Sequence, residues 1–164
     1  MFRIKASFKD SIEIGCDRED ALRFFSDLRN FVELMPGIES IHTDLKGIAH
    51  WTIRAEIPMV GSLKERFSVE RILEDEDSIE WLPLKVETRN FLRFAARFEK
   101  IESNRTIVEF EQGVELRRDK ARDLHPLAGM VGESLISREM NRRVSEMIRQ
   151  FIEKAKSRLE DSIR

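Results

Sequence analysis

The stretch Ser134–Ile163, SLISREMNRRVSEMIRQFIEKAKSRLEDSI, decides the fold. Ile136, Met140, Val144, Met147, Phe151, Ala155 and Leu159 recur three or four residues apart. That period makes one apolar stripe on an α-helix. Glu139–Arg143, Arg149–Glu153 and Lys156–Glu160 stand four apart on the wetter side, where opposite charges support a helix. As one helix the stretch is about 45 Å long at ~1.5 Å per residue. A helix of this length cannot be buried all round and must lie across something broad and apolar. Gly129 and Gly132 fall in its first turns and allow a bend or a close approach, at ~1 kcal/mol each relative to Ala.

Upstream of Pro126 the period is mostly that of strands. Phe2, Ile4, Ala6, Phe8, Ile12 and Ile14 all occupy even positions, and Gly15 ends the run. Asp17, with Asp20 three residues on, is placed to cap a helix. Ala21, Leu22, Phe24, Phe25, Leu28, Phe31, Val32 and Met35 then follow at helical spacing, with Asn30 read as the break between two short helices. Pro36-Gly37 stops the second helix. Strands are expected at Ile38–Thr43, Ile48–Ile57, Leu63–Leu73, Ile79–Leu84 and Phe91–Ile101, and a last alternating face runs from Thr106 to Leu116. Turn signals separate them: Gly47, Pro58 with Gly61, the acidic run Glu74–Asp77, and Ser103-Asn104.

The expected architecture is α+β, one domain over residues 1–164. A curved antiparallel sheet of about seven strands grips the long C-terminal helix, with two short helices after the first strand. One sheet and one helix fill a solid core poorly and enclose a cavity well. That arrangement points to a binder of apolar small molecules. Alternation assigns the cavity wall. Trp51, Ile53 and Ala55 share one face, and Phe67 and Val69 another. Trp81 stands on the next strand, followed by Leu92, Phe94, Ala96 and Phe98. The last strand supplies Val108, Phe110, Gln112 and Val114, and the helix supplies Met140, Val144, Met147 and Phe151. A largely apolar pocket of roughly 300–1,000 Å³ is expected, the usual range for ligand sites.

Composition removes other classes. Lys+Arg is 29 against 31 Asp+Glu, a net charge of −2. Phosphate binding needs a basic excess on one face, so nucleic acid is not an expected partner. Cys16 is the only cysteine, which leaves no intramolecular disulfide and no cysteine metal cluster. No run approaches the ~20 apolar residues of a membrane span, and MFRIKASFKD lacks the apolar core of a signal peptide. A cytoplasmic location is expected. Charged residues make up 37% of the chain with only two Gln, a composition resembling that of heat-adapted proteins.

The order strand, helix pair, six strands, long helix resembles the START-like or helix-grip superfamily, which includes polyketide cyclases, the birch-pollen allergen family and lipid-transfer domains. Met35-Pro36-Gly37-Ile38-Glu39-Ser40 and Val60-Gly61-Ser62-Leu63-Lys64 are similar to an accessory-subunit family of the carbon-monoxide-dehydrogenase group. Pro126-Leu127-Ala128-Gly129 running into the helix resembles the polyketide cyclase/dehydrase pattern. The resemblance implies a hydrophobic pocket between sheet and helix and no universal catalytic residue. Tyr is absent, so family members that rely on a cavity tyrosine are poor guides.

No phosphate loop, His-x-x-x-His pair or Gly-x-Ser-x-Gly elbow occurs, and neither metal nor cofactor is expected. His42, His50 and His125 are far apart in sequence, and His50 falls in the polar phase of its strand. Cys16 reads as a small buried apolar residue. Glu65 shares a phase with Leu63, Phe67 and Val69. It is either an acid–base group in the cavity, and the one weak catalytic candidate, or a rim carboxylate paired with Arg or Lys. Gln112 either orients a ligand or satisfies a backbone group. Arg138, Arg142, Arg143 and Arg149 are a solvated helix face or a contact for anionic lipid. The leading functional expectation is binding or transport of a lipid, isoprenoid, quinone or polyketide-like molecule. The alternatives are a cyclase/dehydratase-like enzyme and an accessory subunit of an oxidoreductase.

Overall fold

The computed structural model describes residues 1–162, so Ile163, placed in the last helical turn by periodicity, lies outside the described residues. The elements run β1 (Phe2–Ile14), α1 (Arg18–Ser26), α2 (Leu28–Leu34), β2 (Ile38–Thr43), β3 (Ala49–Ile57), β4 (Gly61–Glu74), β5 (Ser78–Pro83), β6 (Asn90–Glu102), β7 (Arg105–Arg118), α3 (Ala128–Val131) and α4 (Glu133–Asp161). All seven strands form one antiparallel sheet in the order β1-β7-β6-β5-β4-β3-β2. The sheet curls into a half-barrel around α4, which is the expected α+β architecture. Register shifts at Ile38/Ser40, Arg71/Leu73 and Lys100/Glu102 are bulges, which bend a strand and increase its twist.

Alternation explains which face is inside. Ile4, Ala6 and Phe8 of β1 are buried while their odd-numbered neighbours are exposed. β7 buries every even position from Thr106 to Arg118. The buried faces of sheet and helix join in one core with α1 and α2, which close the trough at one end.

Local chemistry sets the junctions. The two short helices part at Asp27, not Asn30. Asp27 is extended, and its side chain accepts a hydrogen bond from the Arg29 N–H at 3.0 Å, the usual action of an N-cap. Asn30 instead donates to the Phe24 carbonyl at 2.8 Å. Asp17 occupies the N-cap position of α1, but its carboxylate accepts from the Asn104 N–H at 2.9 Å and so ties the helix to the β6–β7 hairpin. Gly132, with φ +91, separates α3 from α4, so Gly129 belongs to a short helix of its own. Gly37 has φ +89, and a Cβ there would lie 2.7 Å from both the Arg54 carbonyl oxygen and Met147 Cε. No other residue fits the passage from α2 to β2 without displacing α4.

Candidate functional site

α4 lies over the concave face of the sheet, and the space between them is unevenly filled. At the end closed by α1 and α2 it is solid. Phe31 of α2 stacks on Phe151 of α4 with ring centroids 4.5 Å apart. Phe31 also meets Trp51 at 5.4 Å and Phe94 at 5.3 Å. Phe25 of α1 packs edge-on against Phe151 at 5.8 Å, and Phe110 lies between them. Trp51, Phe94, Phe110 and Phe151, expected as cavity wall, are here the centre of the aromatic core. Val69, Trp81, Leu92, Ala96, Phe98 and Val108 are buried in the same core.

The other end keeps a cavity of about 40 Å³. Ile53, Ala55, Phe67, Gln112, Val114, Met140, Val144 and Met147 of the expected wall line it, joined by Met35, Leu63, Glu65, Leu116 and Ile148. This is far smaller than the 300–1,000 Å³ expected. Phe25 and Phe31 occupy the rest of the trough, and a helical period shows which face of α1 and α2 is apolar but not how deeply its rings reach. Three methionines, Met35, Met140 and Met147, form much of the remaining wall. Their unbranched thioether chains adapt to irregular shapes.

Polar groups collect on one side. Glu65 accepts from Arg118 Nη2 at 2.9 Å and from Asn90 Nδ2 at 3.0 Å. Only 3% of the Arg118 side chain is exposed, against 20% of Glu65. Arg118 Nη1 donates to the Arg117 carbonyl at 2.8 Å, while its Nε has no partner among the described residues. Glu65 is thus a rim carboxylate held by an arginine. Gln112 is 4% exposed, and its Oε1 has no partner among the described residues.

Sequence reading missed Arg118 and Asn90. Arg118 continues the even phase of β7 beyond Leu116, and that continuation was the available signal. Asn90 opens β6 and donates also to the Arg66 carbonyl at 2.9 Å, a contact set by three-dimensional neighbourhood alone.

Cys16 is buried, and burial, with the carboxylates of Asp20, Asp17 and Glu160, pushes its thiol up to about 11. It stays protonated at neutral pH and is a poor nucleophile. Arg142 pairs with Glu139 and Glu146, Arg143 with Glu146, and Arg149 lies over the Phe8 ring at 5.8 Å. His50 is 19% exposed in its side chain and has two partners, Ser68 and Asp44. No group of three potential metal ligands exists among the described residues. No helix among them is long and apolar enough to cross a membrane.

No family sequence model matches the chain, and no curated protein sequence matches it. Solved structures do. The Zhui aromatase/cyclase from a Streptomyces species superposes with a TM-score of 0.72 at 11% identity, over 98% of this chain and 96% of that one. A conserved protein from Geobacillus kaustophilus gives 0.67 at 14% identity, over 97% of each. A START superfamily protein from Mycobacterium smegmatis gives 0.60 at 13% identity, over 94% of this chain and 97% of that one. Sheet order, helix pair and gripped C-terminal helix agree with these likenesses, and the chain has the START-like helix-grip fold.

Proposed function

We propose that this protein binds an apolar small molecule bearing one polar end, in the cavity between the sheet and α4. One observation carries the reading: an apolar, methionine-rich cavity meets Gln112 and the Glu65–Arg118 pair on one side only. Apolar walls with a few placed polar groups are the usual makeup of a ligand site. The Gln112 carbonyl oxygen would accept a hydroxyl hydrogen from the guest, satisfying a buried polar atom that otherwise costs free energy. At about 40 Å³ the cavity holds one or two small groups, so a lipid-, isoprenoid- or polyketide-like guest enters as Met35, Met140 and Met147 change rotamer. Glu65 is committed to Arg118 and Asn90, which favours binding over acid–base catalysis.

The test compares 2-naphthol with naphthalene by fluorescence titration, alongside native mass spectrometry of freshly purified protein. The phenol binds more tightly, and Met140→Trp, which fills the cavity, abolishes both. Equal binding to Met140→Trp overturns the site. Turnover of a polyketide-like substrate without loss in Glu65→Gln favours an enzyme with other residues in charge. A stable hetero-complex favours the accessory-subunit reading.

A further inference from the structure

Asp44, His50 and Ser68 come together on the outer face of the sheet, away from the cavity. His50 of β3 and Ser68 of β4 are direct cross-strand partners, and Ser68 Oγ lies 2.7 Å from His50 Nδ1. On the other side of the ring, His50 Nε2 lies 3.1 Å from Asp44 Oδ2, in the β2–β3 turn. A nucleophile within hydrogen-bond reach of a base, itself oriented by a third group, is the structural mark of an activated nucleophile.

The polarity of the chain of contacts is fixed. The hydrogen bond from His50 holds the Asp44 carboxyl below its ordinary value, and the Ile48 and Lys46 N–H groups act in the same direction. Asp44 is therefore an anion at neutral pH, and it accepts the Nε2–H of the imidazole. That tautomer leaves the Nδ1 lone pair facing the Ser68 hydroxyl. The charged and titratable neighbours on this face follow from register: His42 stands opposite His50 on β2, Arg66 opposite Thr52, and Glu70 two residues along β4.

We propose that Ser68 is an acyl-accepting serine, with His50 as its base and Asp44 as the group that orients His50. In the first step Ser68 Oγ bonds to the acyl carbon while its proton passes to His50 Nδ1, and the carbonyl electron pair moves onto oxygen. Collapse of that intermediate breaks the bond to the leaving group, which departs with its electron pair and leaves an O-acyl serine. Water then attacks the acyl carbon and gives its proton to Nδ1. The carboxylic acid departs, and the serine recovers a proton. Ser68 lies within the β3–β4 ladder, so the backbone N–H groups around it are engaged in the sheet and no donor pair is preset for the oxyanion. The substrate class is accordingly activated acyl donors, meaning aryl esters and acyl thioesters, whose leaving groups need little help.

The test incubates the full chain with p-nitrophenyl acetate or a fluorophosphonate and maps the adduct by intact-mass and peptide mass spectrometry. One adduct is expected, on Ser68. Its rate rises as pH increases and His50 loses its proton. Ser68→Ala removes the adduct, and His50→Ala slows it by ~100-fold, in the range for loss of a general base. Asp44→Asn retains an oxygen to cap the turn but removes the charge, and it slows labelling while leaving the fold intact by circular dichroism. Ser68→Cys keeps the base and is labelled faster than the parent. Acetylation spread over lysines with Ser68 unmodified, or equal labelling of Ser68→Ala and the parent, overturns the proposal.

Discussion

Glu160 accepts a hydrogen bond from the backbone N–H of Gly15 at 2.7 Å, at the far end of a helix whose first residue, Glu133, accepts one from the N–H of Arg3. Between them Ser137 accepts from Lys5 at 3.2 Å, Asn141 accepts from Ser7 at 2.9 Å, and Lys156 donates to the Glu13 carbonyl at 2.7 Å. From Glu133 to Glu160 the helix rises about 40 Å. From Arg3 to Gly15 the strand also advances about 40 Å. β1 is an edge strand, and its outward backbone groups would otherwise invite another chain. α4 therefore has two duties, an apolar stripe over the trough and a polar stripe along the sheet edge.

Asn141→Ala removes the acceptor for Ser7 and leaves that edge N–H to water. The expected cost is ~0.5–1.5 kcal/mol, the net worth of one such bond. Faster amide exchange at Ser7, with β7 amides unchanged, is the local readout. Unaltered exchange at Ser7 would show that the bond does not hold the helix to the edge.

Phe151 is fully buried between Phe31, Phe25 and Phe110. Phe151→Ala opens a void that these rings cannot close. The expected loss is ~3–5 kcal/mol by denaturant unfolding, with ligand binding in the methionine-lined cavity retained in the folded fraction. A loss below ~1 kcal/mol would place Phe151 outside the packed core.

What was legible in the sequence was phase. Even positions of β1 and β7, and the stripe from Ile136 to Leu159, told inside from outside because burial follows a fixed period along each element. What was not legible depended on depth and register. Phe31 is apolar at helical spacing, yet only the seating of α2 brings it onto Phe151. Arg117-Arg118 reads as a solvated strand end, but Arg118 keeps the inward phase and is buried. His50 reads as an exposed polar residue, since its neighbours Ser68 and Asp44 are supplied by the β3–β4 register and the β2–β3 turn.

Cys16 gives the fold an alkaline limit. Its thiol titrates near 9.0 in an unstructured chain and is raised to about 11 in the fold. The native state therefore holds the proton more tightly. The stabilisation is fully present below pH ~9 and is lost as pH rises through ~11, a span worth on the order of 2–3 kcal/mol. Cys16→Ala removes this component, so the difference between the two stability curves should open between pH 9 and 11. Parallel curves across that window would mean that the thiol titrates freely. At pH 8 the native thiol should resist disulfide reagents until the chain unfolds.

Arg118 tests whether the polar side of the cavity serves the guest or only the fold. Arg118→Met preserves length and burial but leaves Glu65 with Asn90 alone. Breaking one partner of a buried pair costs ~3–5 kcal/mol when both ions are dry. Glu65 keeps some contact with water, so the loss should fall at the lower end. Glu65→Gln in the Arg118→Met background removes the stranded charge and should recover most of that stability. The same double variant has lost both ionic groups but keeps Gln112 and the apolar wall. If Gln112 orients the guest, the double variant still prefers 2-naphthol to naphthalene. If the Glu65–Arg118 pair does so, the preference disappears while stability stays near that of the parent. A titration of the two probes against the single and double variants separates these outcomes, and a preference lost only in Gln112→Leu assigns the polar end of the ligand to Gln112.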